Sequence, residues 1–175
     1  MKKTIAFLLA LMMLFALCAC GGDSDNSDNK KENESYEPDY GELYYEAEGL
    51  KFGIMDFADA VLDSLGEPDG TFESESCAYQ GKDYFYYYDG FEVMANEIDG
   101  NMRITGITVA DDTVQNPQGV KIGMDIEEAL SLMGDGYTQS GSVYKYIVGS
   151  TLLMIKAGDD NCVSAIEYAV AANQE

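Results

Sequence analysis

The residues able to do chemistry are few, and their spacing rules out more than it offers. The 175-residue chain contains no histidine. Ser-His-Asp and Cys-His catalysis and the common histidine zinc sites fall together. No G-x-S-x-G and no C-x-x-C occurs. Residues Ser142 to Lys145 read SVYK, the S-x-x-K spacing that sets a lysine beside a nucleophilic serine. That chemistry needs a helix start and companion S-D-N and K-T-G strings. Here the string falls on a predicted strand and the companions are missing. Asp111-Asp112 and Asp159-Asp160 pair carboxylates, but in turn-like segments where solvated loops are expected. Asp23 to Glu34, DSDNSDNKKENE, alternates oxygen-bearing side chains and ends on glutamate as a calcium loop does. Its sixth position is Asp28, where the sharp turn calls for glycine. No catalytic residue, metal ligand or cofactor is expected, and the chain reads as a non-enzyme.

The cysteines carry the clearest signal. Lys2 and Lys3 precede an unbroken apolar run, Ile5 to Leu17. The run is short for a membrane span, which needs about 20 residues, and suits a secretory leader. It ends in LCAC, with Leu17 three residues and Ala19 one residue before Cys20. This resembles the lipobox of bacterial lipoproteins. The resemblance implies that residues 1–19 are a signal peptide removed before Cys20, which then bears the acyl chains. It implies an extracytoplasmic protein, on the cell surface or the periplasmic side, anchored to the membrane by lipid. Cys18 would leave with the leader. Cys77 and Cys162 remain, and their types leave open a bridge or two free buried thiols.

Charge narrows the partners. Removing residues 1–19 takes two of the ten Lys and Arg and none of the 32 Asp and Glu, so the net charge of −22 becomes −24. Phosphate backbones and anionic lipid surfaces repel such a chain, so nucleic acid is not an expected partner. The lipid, rather than a basic patch, must hold it at a membrane. A protein or envelope polymer is the expected partner.

The elements that would position a binding surface follow from pattern. Residues 20–48 read as the lipidated cysteine and a flexible acidic tether. The rest repeats. GLKFGIMDFADAVLDSLGEPDG from Gly49 is echoed by GVKIGMDIEEALSLMGDG from Gly119. DYFYYYDGFEVM, residues 83–94, is echoed by VYKYIVGSTLLM, residues 143–154. This matches Tyr84 with Tyr144, Tyr86 with Tyr146 and Met94 with Met154. Asp56 and Asp125 stand at helix starts, apolar residues follow at helical spacing, and Gly66 and Gly134 stop the helices. Asp89-Gly90 and Gly149-Ser150 mark hairpins. The expected fold is α+β: two tandem repeats, 49–110 and 111–175, each a short helix packed on a three- to four-stranded antiparallel meander.

This order of helix, Tyr-x-Tyr strand, turn and closing strand is similar to two groups. One is the SmpA/OmlA-type envelope lipoproteins, with one such unit. The other is the β-lactamase inhibitor protein fold, with two. The chain lacks Trp, and its cysteines fall at non-equivalent positions of the two units. The resemblance implies a lipid-anchored binding or assembly module, or alternatively an inhibitor or sensor of a cell-wall enzyme.

The tyrosine run asks which face it serves. Strand side chains alternate, and Lys145 between Tyr144 and Tyr146 marks the solvent side. Tyr84, Tyr86 and Tyr88 then face the helix. Phe85, Tyr87, Met94, Asn96, Lys145 and Met154 are the candidate partner-binding residues of the open face. The plainer reading covers that face with another part of the chain.

Overall fold

The computed structural model describes residues 43–172. The expected leader, the expected anchor at Cys20 and the expected tether as far as residue 42 lie outside them. In chain order the elements are β1 (Tyr45–Ala47), β2 (Leu50–Phe52), α1 (Ala58–Leu65), β3 (Gly70–Glu75), β4 (Lys82–Tyr88), β5 (Phe91–Ile98), β6 (Asn101–Val109), α2 (Ile126–Met133), β7 (Thr138–Ser140), β8 (Val143–Val148), β9 (Thr151–Ala157) and β10 (Val163–Val170). β1 and β2 form a hairpin. The other eight strands form one antiparallel sheet in the order β3-β4-β5-β6-β10-β9-β8-β7.

The expected α+β class in two helix-plus-meander units is overturned. Among the described residues the fold is mostly β, with two helices of eight residues each. Each half sets one eight-residue helix against four sheet strands, so strand far outweighs helix. The closing strands of the two halves, β6 and β10, pair with each other, Ile107 opposite Tyr168 and Val109 opposite Ile166. Each satisfies the other's open backbone edge, and a single sheet runs through both halves of the sequence.

Both helices stop as their glycines predict. Gly66 (φ 84°) and Gly134 (φ 79°) sit at positive φ, which side chains with a Cβ rarely adopt. Their N–H groups donate to the carbonyls of Leu62 (3.0 Å) and Leu130 (2.8 Å). The helix starts differ. Asp125 caps α2, accepting from the N–H groups of Glu127 and Glu128. Asp56 is instead buried and accepts from the Gly53 N–H at 2.9 Å. Phe57 precedes α1 without a side-chain cap.

The structure also corrects the matching of the tyrosines. The Tyr88 hydroxyl donates to the Gly66 carbonyl and the Tyr146 hydroxyl to the Gly134 carbonyl. Tyr88 and Tyr146 therefore share a role, not Tyr86 and Tyr146. The sequence match was two residues out. A two-residue slip keeps the strand's alternation, so the faces were still assigned correctly. Tyr86 and Tyr88 pack on the core, and Tyr84 lies on the same side, opposite the fully buried Ala95.

The core lies between one face of the sheet and the layer of α1, α2 and the β1–β2 hairpin. Tyr45 is 1% exposed, and its ring meets Phe52, Phe91 and Tyr168 at centroid distances of 5.7, 5.2 and 6.0 Å. Tyr88 stacks on Phe91 at 5.1 Å. Leu43 and Tyr45 are thus core residues, and the tether reading fails for residues 43–48. Their aromatic and aliphatic side chains bury more apolar area than a solvated linker carries.

Candidate functional site

The second face of the sheet is lined by the alternate residues of each strand. Phe72, Phe85, Met94, Gly106, Ala169, Leu152 and Ile147 stand opposite one another across seven strands. With strands ~4.8 Å apart, they form an apolar stripe about 29 Å long. Phe72 is 57% and Ile147 42% exposed. Phe85, Met94 and Leu152 are half-buried. The inward neighbours Val93, Ile107 and Leu153 are fully buried. Phe72 and Phe85 touch ring to ring at 5.9 Å. Gly106 keeps the stripe low at its middle. A Cβ there would meet the Met94 side chain at 3.2–3.3 Å.

A parallel row holds Tyr87, Glu92, Thr108, Glu167, Met154 and Lys145. The sheet thus offers aromatic and aliphatic surface beside two carboxylates. Burial between Tyr87 and Thr108 holds the Glu92 carboxyl above its usual range. A raised carboxyl contributes stability below its unfolded pKa, and that contribution disappears as pH rises through the folded value. Glu92→Gln is therefore expected to raise stability by a few tenths of a kcal/mol at neutral pH, discounted for partial exposure. The gain should vanish once both states are protonated. Thermal melts at neutral and acid pH check it. An equal gain at both would show that burial of the charge is not the cause.

The structure places the candidate residues as follows. Phe85, Tyr87, Met94, Met154 and Lys145 line this one face. Asn96 does not serve as a contact residue. It is fully buried. Its Nδ2 donates to the Lys82 carbonyl at 3.0 Å and to the Asp83 carboxylate, while its Oδ1 accepts from the Thr105 hydroxyl. Thr105 stands at a break in the β5–β6 register, between Ile104 and Gly106. The break brings its hydroxyl onto Asn96. Sequence reading missed Phe72, Leu152, Ile147, Glu92 and Glu167. The alternation in each strand held the signal for them, but only the strand register sets them in rows.

Of the remaining chemical candidates, Asp111 and Asp160 brace their own turns. Asp111 accepts from the side chain and backbone N–H of Thr113, and both bonds hold its carboxyl below the usual range. Asp160 accepts from the Cys162 N–H at 3.2 Å. Ser142 lies in a turn and Lys145 on β8. Cys77 is exposed and Cys162 half-buried, and both thiols are free. Among the described residues no three His, Cys, Asp or Glu side chains converge as a ligand set. No described helix is long and apolar enough to cross a membrane.

No protein-family model and no curated protein matches the chain. Among solved structures it is similar to a cysteine-rich secretory protein from Staphylococcus aureus subsp. aureus Mu50, at 12% identity and a TM-score of 0.45. The match covers 67% of this chain and spans 44% of that protein.

Proposed function

We propose that this chain is a lipid-anchored extracytoplasmic binding or assembly module, not an enzyme, that engages a protein or envelope partner through the open face of its sheet. The observation that carries the reading is the apolar stripe from Phe72 to Ile147, crossing seven strands on the face away from both helices. Contiguous apolar surface of this kind, rimmed by polar residues, marks a contact site. Glu92, Glu167 and Lys145, all in the row beside the stripe, give it a polar border that can set a partner's orientation. A lipid on Cys20 would hold this face near an envelope that the chain's own charge would otherwise avoid.

Two experiments test the two halves of the reading. Cys20→Ser should move the protein from the membrane fraction to a soluble or unprocessed form. If the processed variant stays with membranes, the lipid anchor is wrong. For the face, Phe85→Asp combined with Leu152→Asp should abolish recovery of the partner from envelope extract while leaving the melting transition in place. Unchanged recovery by the folded double variant would remove the stripe from function. Recovery of a single cell-wall enzyme with its activity blocked would favour an inhibitor over an assembly module.

A further inference from the structure

We infer that the outer edge of β3 is a docking site for an extended basic segment of another protein, added to the sheet as a ninth strand. This does not rest on the open-face reading, because it concerns the backbone edge rather than the sheet surface.

Among the described residues β3 ends the eight-stranded sheet and pairs with β4 alone. Its six pairs run without a break, from Gly70 opposite Tyr87 to Glu75 opposite Lys82. The Ser76 N–H donates to the Gly81 carbonyl at 3.0 Å, which sets the phase of the ladder. Gly70, Phe72 and Ser74 turn their N–H and C=O groups toward β4. Thr71, Glu73 and Glu75 turn theirs outward. That is a row of three donor and acceptor pairs that no strand of the described residues receives.

Sheet edges are normally blunted by shortness, by charged side chains, by proline or by a bulge. The far edge obeys this, since β7 has three residues. β3 has six, no proline and no bulge, and Phe72 on it is 57% exposed.

Charge selects the occupant. Residues 67–83 carry five acids and one lysine. A second copy pairing through β3 would set Glu73 and Glu75 near the same residues of its mate, which like-charge repulsion opposes. A basic strand meets the reverse situation. Thr71, Glu73 and Glu75 share the face of Tyr84 and Tyr86, and Phe72 lies on the other. A pocket of about 260 Å³ lies on the β3–β4 pair, lined by Thr71, Phe72, Glu73, Tyr84, Phe85 and Tyr86. An added strand with Lys or Arg at alternate positions would set those cations beside the glutamates and over the tyrosine rings. Its intervening apolar residues would fall beside Phe72. The Lys82–Glu73 ion pair is exposed on both sides, so it is readily exchanged for a partner's cation.

The probe is the peptide acetyl-Lys-Val-Lys-Val-Lys-Val-Lys-amide, titrated into the full chain at low salt. Saturable binding is expected, with the amides of Thr71, Glu73 and Glu75 gaining protection from hydrogen exchange. Glu73→Lys with Glu75→Lys should weaken binding about tenfold or more. Thr71→Pro removes an outward N–H without touching the inner ladder, a place where edge strands accept proline, and should abolish the protection. Should that variant fail to fold, the peptide N-methylated at alternate residues applies the same block from the other side and should not bind. Equal binding by the N-methylated peptide would reduce the effect to charge attraction and overturn strand addition. So would absence of saturable binding, or self-association of the chain through β3.

Discussion

Tyr45→Ala is expected to lower the free energy of unfolding by roughly 3–5 kcal/mol, the range for truncating a buried aromatic side chain. Tyr45 is the ring on which the hairpin closes the core. It is 1% exposed and lies against Phe52, Phe91 and Tyr168. Its removal leaves a cavity where the hairpin, β5 and β10 converge, and the rigid rings around it cannot collapse to fill it. Urea unfolding measures the loss. A loss below about 1 kcal/mol, the scale of an ordinary surface change, would show that the hairpin is an accessory to the sheet rather than part of its core. The hydroxyl supplies a second readout. Burial, and then the charge of Asp111, push its pKa up to about 12 from 10. A raised acid contributes stability below the unfolded value and loses it as pH rises to the folded one. Tyr45→Phe should thus gain on the natural protein between pH 10 and pH 12 and not at neutral pH.

Asn96→Asp should cost roughly 3–5 kcal/mol at neutral pH, as for a buried charge left without its compensating group. The two side chains have the same shape, so packing does not enter. What changes is the direction of two hydrogen bonds. The amide nitrogen donates to the Lys82 carbonyl and the Asp83 carboxylate. A carboxylate oxygen in its place faces two acceptors, one of them charged, at a site with no solvent access. Burial and the two acceptors raise the introduced carboxyl's pKa in the fold, so the loss should be present at neutral pH, shrink as pH falls from that raised value, and stop changing below the ordinary carboxylate range, where both states are protonated. Asn96→Ala removes the donor without adding charge and should cost less, about 1–3 kcal/mol, for the polar groups left unsatisfied. Urea melts of both variants at neutral and acid pH decide the matter. Were Asn96→Asp no worse than Asn96→Ala at neutral pH, the amide would not be the bridge between β4, β5 and β6.

Much of this architecture was legible in the residues alone. Helical spacing after Asp56 and Asp125 and the stop glycines located both helices, because i, i+3, i+4 periodicity and positive-φ glycines are local properties. Alternation did the same for the tyrosine strand. One lysine among apolar residues, Lys145, was enough to orient β8, and the matched halves carried that orientation to β4. The absence of histidine removed whole classes of catalysis without any coordinates.

What the sequence left undecided depends on partners far apart in the chain. Pairing of β6 with β10 joins residues about sixty positions apart, and no local pattern distinguishes it from two separate meanders. That choice made one sheet of the two halves. Asn96 shares a face with Met94 by alternation and was read as a contact residue. Only the break in register at Thr105, with Lys82 and Asp83 arriving from β4, buries it. The stripe from Phe72 to Ile147 is likewise a product of register. Each strand contributes one apolar side chain that looks ordinary in sequence, and hydrogen bonding between strands sets them side by side. Alternation determines which face a residue takes, since it follows from backbone geometry. Which residues become neighbours on that face is decided by long-range pairing, whose energy is shared among many contacts and written in no single stretch of the chain.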